Sequence, residues 1–208
     1  MAEVKKSLKL QKLADKSLNE FSELVGSPEG KPEGGSVSAL AAALSANLAL
    51  LASSACAEGS VPAETVAELP ELQKYMLKQV DDYVRSRSPL RKRLAEGDKT
   101  PEEIESAARV ACGIPNEVVY LMCRNLEMLD QIADVCPDEM VSNVLTATHL
   151  ALAVIASMRG EIKFLSQYMM EFTFQYTVNR EAEINVQEHQ ELVDGLLEKL
   201  QKRLNKES

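Results

Sequence analysis

The chain has 208 residues, 23 basic and 32 acidic side chains, a net charge of −9, no Trp, four Phe and five Tyr. This length is ample for a buried core in one domain spanning 1–208, and the ordinary 45% hydrophobic share excludes wholesale disorder. Acidity with few aromatics argues against nucleic acid, whose recognition wants clustered Lys and Arg and stacking rings.

Strand signals are nearly absent, and helical periodicity covers most of the chain. Residues 3–14 place Leu8, Leu10 and Leu13 among lysines and read as a helical arm. Ser17-Leu18-Asn19-Glu20 is a capping box, which predicts a short helix through Val25. Ser27 to Gly35 holds Pro28, Gly30, Pro32, Gly34 and Gly35, so it reads as a loop. Ser36 to Ala57 is an uncharged, Ala-rich helix, closed by Glu58-Gly59-Ser60-Val61-Pro62. The next helix starts near Ala63 or Pro70 and ends at Arg87, with Leu72, Tyr75, Met76, Val80 and Tyr83 or Val84 on its apolar face. Leu90 to Lys99 reads as a loop or short helix. Thr100-Pro101-Glu102-Glu103 then opens a helix with a cap, a Pro at the first position and acids in the first turn. Gly113 and Pro115 are expected to break or kink it, and Pro137 stops its continuation. Asp138 is expected to cap a second uncharged helix reaching Met158, with Gly160 at its end or at a kink. Glu161 to Tyr176 is rich in Met and Phe, and Glu181 to Lys206 is an amphipathic tail. The expected fold is all-α, a compact bundle of about seven or eight helices around two Ala-rich buried helices.

Gly34–Ala57 and Met140–Met158 are long enough to test as membrane spans, at roughly 20 residues each. Their many Ala, Ser, Thr and Asn leave few large apolar side chains to drive insertion, so they are read as core helices of a soluble bundle without a membrane partner. Four cysteines, Cys56, Cys112, Cys123 and Cys136, show no CxxC spacing. They are expected to be reduced, mostly buried thiols of a cytoplasmic protein, with no metal site. The N-terminus leads into a charged amphipathic run rather than a signal peptide.

The most specific feature is Pro32-Glu33-Gly34-Gly35-Ser36-Val37-Ser38-Ala39-Leu40. Two glycines before an uncharged helix allow close backbone approach, and a helix N-terminus offers free N–H groups to an anion or polar ring. A plain capping turn has the same composition. His149 in its uncharged run reads as a core group or as a proton carrier, and His189 in the charged tail as exposed. Met158, Met169, Met170, Phe164, Phe172 and Phe174 suit core, interface or a flat-ring pocket. Arg85, Arg87, Arg91, Lys92 and Arg93 form a basic cluster that suits a solvated loop or contact with an anionic tail.

Ser17-Leu18-x-x-Phe21, a Pro-rich loop, then Pro32-x-Gly34-Gly35-Ser36-Val37-x-Ala39-Leu40 and an Ala-rich helix resemble the formiminotetrahydrofolate cyclodeaminase and methenyltetrahydrofolate cyclohydrolase family. The resemblance implies an all-α, usually dimeric fold and a folate pocket near Gly34, Gly35, Ser36 and Ser38. It also implies one-carbon chemistry between N5 and N10 of tetrahydrofolate, with a folate derivative as substrate and no metal or redox cofactor. Three positions depart from the family pattern. Glu33 replaces a glycine, Gln79 stands where an Asp precedes the aromatic Tyr83, and Ser142-Asn143 replaces a Ser-Asp pair. Gln79 and Asn143 keep hydrogen bonding but cannot exchange a proton near pH 7. Asp82, three residues after Gln79, is the carboxylate left to act as acid or base, while Asp81 and Asp82 also suit a solvated helix face. A non-catalytic folate-binding or interaction protein of the same fold is the alternative.

Overall fold

The computed structural model describes residues 12–28, 32–96 and 100–205. Among them are seven α-helices, two single turns of 3-10 helix and no strand. The expected arm at residues 3–14 lies mostly outside the described residues; its end forms a 3-10 turn at Leu13–Asp15. The helices are α1 (Leu18–Gly26), α2 (Gly34–Ser54), α3 (Ala63–Glu96), α4 (Pro101–Val135), α5 (Val141–Ser166), α6 (Phe172–Glu188) and α7 (Gln190–Leu204).

Two starts follow the local chemistry read in the sequence. Ser17 and Glu20 close a reciprocal capping box at α1, and Thr100 and Glu103 close another at α4 with Pro101 in its first turn. Several boundaries differ. α2 begins at Gly34, two residues before the expected start, so both glycines belong to its first turn rather than to a loop, and it ends at Ser54 rather than Ala57. α3 continues past Arg87 through Pro89 to Glu96, so most of the expected Leu90–Lys99 loop is helix; residues 97–99 lie outside the described residues. α4 runs unbroken through Gly113 and Pro115, and α5 through Gly160 to Ser166. A proline within a helix costs roughly 3 kcal/mol. At Pro115 the flanking Ala111, Cys112, Val118 and Val119 are all buried, and this packing offsets that cost. Asp138 opens a 3-10 turn before α5 instead of capping it.

α2 and α5 run antiparallel at the centre. Ser38 Oγ donates to Ser157 Oγ at 2.9 Å, and Ser45 Oγ donates to the Ala147 carbonyl at 2.7 Å. Asn125 Nδ2 of α4 donates to Ser45 Oγ at 2.8 Å, so one buried hydroxyl ties three helices together. The alanines at 39, 42, 43, 46, 49 and 52 are buried, and their small side chains let neighbouring helices approach closely. α3 and α4 pack beside this pair, and α6 and α7 fold back over α4 and α5. By length and composition alone, two segments, Gly34–Ser54 and Asp138–Ser166, could cross a membrane; here they pack against each other and against α3 and α4.

Four cysteines are free, and all but Cys56 are buried. Burial pushes the Cys112 thiol up to about 12 and Cys123 up to about 11, so both behave as packing groups rather than nucleophiles.

Candidate functional site

The head of α2 packs onto the middle of α3. Gly35 is buried, and a methyl group there would lie 2.0 Å from Cε2 and 2.1 Å from Cζ of Tyr83. Only glycine lets the Tyr83 ring lie on the first turn of α2. Gly34, one residue earlier, is exposed with open space around it. Ser36 is buried and donates from Oγ to the Val80 carbonyl at 2.8 Å, one turn before Tyr83. The hydroxyls of Ser36 and Ser38 are thus engaged with α3 and α5.

Tyr83 is 1% exposed, and its hydroxyl lies beside the Glu161 carboxylate of α5. Burial first, and the negative charge of Glu161 second, push the phenol far above its ordinary value, so it stays protonated. Arg87, one turn after Tyr83, pairs with Glu161 at 2.7 Å and approaches Glu33 at 3.5 Å. Its guanidinium also lies 5.5 Å from the centre of the Phe164 ring. Arg91, a further turn along α3, pairs with Glu33. The residue that departs from the glycine pattern therefore binds two arginines at the N-terminus of α2.

Gln79 is buried on the same side of α3 as Tyr83, one turn earlier. It lies beside the Tyr75 hydroxyl, and its Oε1 has no partner. Burial and the neighbouring Glu117 push Tyr75 up to about 12. Tyr75 forms part of the wall of a surface cavity of about 470 Å³ with Leu72, Lys78 and Leu121. A second cavity, of about 410 Å³, is lined by Asp81, Lys78, Arg85 and Leu77. Gly34 and Gly35 line neither one.

Asp82 bridges Arg85 at 2.6 Å and Lys78 at 3.5 Å on the outer side of α3. Asp81, read as one of a solvated pair, instead accepts the backbone N–H of Leu13 at 2.8 Å and fastens the segment before α1. Asn143 is half-buried near the start of α5, with Nδ2 donating to Met140 Sδ at 3.6 Å. Because α5 runs antiparallel to α2, this end of α5 lies beyond Ser45. Ser45 is itself about 15 Å along α2 from Gly35. Within one chain, Gly35, Ser36 and Gln79 meet around α3, and Asn143 lies at the far end of the pair.

The histidines depart from expectation. His149 is exposed on α5 rather than buried. His189 is half-buried at the α6–α7 junction, with Nδ1 2.7 Å from the Asn185 carbonyl and Nε2 2.9 Å from Glu127. Met158 and Met169 are core, whereas Phe164, Met170 and Phe172 are exposed. The basic cluster lies on helix rather than loop, with acids of the same chain on Arg85, Arg87, Arg91 and Lys92. Reading the sequence missed Glu161. Its signals were its place as the first acid after Glu139 and the Arg87–Arg91 spacing, which sets two cations on one helix face. Among the described residues, no three His, Cys, Asp or Glu are arranged to hold a metal ion.

The molecule is thus an all-α bundle whose central uncharged helix begins with a glycine turn seated on an aromatic ring. It belongs to the formiminotransferase-cyclodeaminase family, whose profile matches residues 17–184. The fold is also that of the formiminotetrahydrofolate cyclodeaminase of Thermotoga maritima, with a TM-score of 0.75 and 19% identity over 93% of this chain and 98% of that one. No curated protein sequence matches the chain.

Proposed function

We propose that this protein acts on a one-carbon derivative of tetrahydrofolate. The reaction is cyclodeamination of 5-formimino-tetrahydrofolate to the 5,10-methenyl form with release of ammonia, or hydrolysis of that methenyl form. The observation that carries the reading is family membership over residues 17–184 together with Gly35 held against Tyr83 at the head of α2. Gly34, Gly35, Ser36 and Ser38 frame the folate site. Gln79 and Asn143 orient polar groups of the ligand by hydrogen bonding, and the unpartnered Oε1 of Gln79 is an acceptor available for that role. Asp82 is the acid or base left by the motif. Neither a metal nor a redox cofactor takes part, nor does nucleic acid, and the protein works in the cytoplasm.

The working unit in this reading is a homodimer. Val37, Leu44 and Leu51 recur every seven residues on the outer side of α2 and are exposed, in a helix that carries no charge. Such a strip is what a second copy would cover.

A non-catalytic folate binder is the second reading. It is favoured by amides at positions 79 and 143 and by Glu33 occupying Arg87 and Arg91. The deciding experiment follows the methenyl absorbance band after protein is added to 5-formimino- or 5,10-methenyl-tetrahydrofolate. Turnover above the buffer rate is expected. Asp82→Asn should lower it on the order of 10²-fold with folate binding little changed, and Gln79→Asp should restore or raise it. A buffer-rate trace with both substrates, alongside measurable folate binding, would establish the binder.

A further inference from the structure

We propose that Glu161 is the base of this site, with Tyr83 and Arg87 as its positioning residues. The inference rests on the folate substrate proposed above but moves the proton-carrier role from Asp82, which Arg85 and Lys78 engage, to Glu161, so that Asp82→Asn is then near-silent.

Glu161 is a carboxylate that its neighbours Tyr83 and Arg87 bring close to the glycine turn. Three features suit it to move a proton. Tyr83 is fixed by its contact with Gly35, so its hydroxyl meets Glu161 in one geometry. Arg87 pairs with the carboxylate at 2.7 Å and is itself fastened by Glu33 and the Phe164 ring. The Glu161 side chain is 22% exposed, and Phe164 beside Arg87 is 43% exposed, so a flat ring stacked on Phe164 would reach the acid from solvent. Arg87 pairs with the anion, the Tyr83 hydroxyl lies beside it, and Oε1 is buried with no hydrogen-bond partner, which leaves an acceptor for a ligand N–H. An unsatisfied acceptor fits a base better than a purely structural ion pair, in which both oxygens would be partnered.

The proton then follows a closed path. From the protonated formimino group, N10 attacks the one-carbon centre. The N10–C bond forms as the C=N pair moves onto the terminal nitrogen. Glu161 takes the N10 proton and returns it to that terminal nitrogen. The bond from carbon to that nitrogen breaks, ammonia leaves with the proton, and the positive charge stays on the methenyl group. No oxidant or reductant is required.

The test compares wild type, Glu161→Gln, Glu161→Asp and Tyr83→Phe on 5-formimino-tetrahydrofolate, with folate affinity measured separately by fluorescence titration. Glu161→Gln should lose on the order of 10²-fold or more in kcat with affinity unchanged, and Glu161→Asp should lose less. Tyr83→Phe keeps the ring on Gly35 but removes the hydroxyl beside the carboxylate, so if that hydroxyl stabilises the anion the acid limb of the kcat/KM profile should move to higher pH. That readout holds even if Glu161→Gln fails to fold. Active wild type with a folded Glu161→Gln within about threefold of it, or an unmoved acid limb in Tyr83→Phe, overturns this assignment and leaves the folate reading standing. Wild type without turnover overturns both.

Discussion

At the residue scale, two adjacent glycines have different reasons to be there. At Gly35 a methyl group would meet the Tyr83 ring at 2.0 Å, and the ring is buried with nowhere to retreat. Gly35→Ala should therefore destabilise the fold by about 1–3 kcal/mol, the usual range for overpacking, and should disturb the Tyr83–Glu161 contact as well. At Gly34 a methyl group meets nothing within 4 Å, and the backbone is helical. Gly34→Ala should stabilise by about 0.4–1 kcal/mol by restricting the unfolded chain. Urea unfolding of the two variants checks both signs. Equal effects would mean that the contact with Tyr83 does not explain Gly35.

At the scale of elements, the central pair is tied to α4 by Ser45 and Asn125. Ser45 Oγ donates to the Ala147 carbonyl and accepts from Asn125 Nδ2, and both side chains are fully buried. Asn125 Oδ1 has no partner, so Nδ2 is the amide's anchor. Ser45→Ala strands that donor in the core. The expected loss is about 1–3 kcal/mol, the cost of an unsatisfied buried polar group, read as a lower urea midpoint at unchanged slope. A second tie joins α4 to the start of α6. Arg109 binds Glu105 and Glu171 and lies over Phe174, while Glu105 accepts the Met170 backbone N–H at 3.1 Å. The Arg109 hydrogen bond holds the Glu105 carboxyl below its ordinary 4.5, outweighing burial. A depressed folded value means that this stabilisation is present above 4.5 and lost as pH falls from there through the folded value. The melting temperature should therefore drop on acidification from pH 6 to pH 3, and Glu105→Gln should drop less steeply. Parallel curves would show that Glu105 carries none of the dependence.

At the scale of the molecule, a central helix of 21 residues without a charge leaves Val37, Leu44 and Leu51 facing outward. If a second copy covers that strip, Leu44→Glu should place a charge inside the interface and convert the dimer to monomer in sedimentation. A wild-type monomer at micromolar concentration would contradict the dimer.

The helical class, the caps at Ser17 and Thr100 and the small-residue core of α2 were legible in the sequence, because each depends on near neighbours and on a 3.6-residue period. The glycine turn was legible as an unusual pattern. Local rules leave open where packing overrides propensity: Gly113 and Pro115 suit a break or a kink and Gly160 an end or a kink, and packing carries α4 and α5 through all three as continuous helix. Why position 35 must be glycine could not be read, because its reason, the ring of Tyr83, lies 48 residues away. The same holds for Glu161, which meets Tyr83 and Arg87 only because α5 returns antiparallel beside α2. The sequence by itself determined the elements and the family resemblance, since periodicity, capping and motif spacing are properties of neighbouring residues. Tertiary structure alone decided which charges meet at the head of α2, since that depends on which helix ends the bundle brings together.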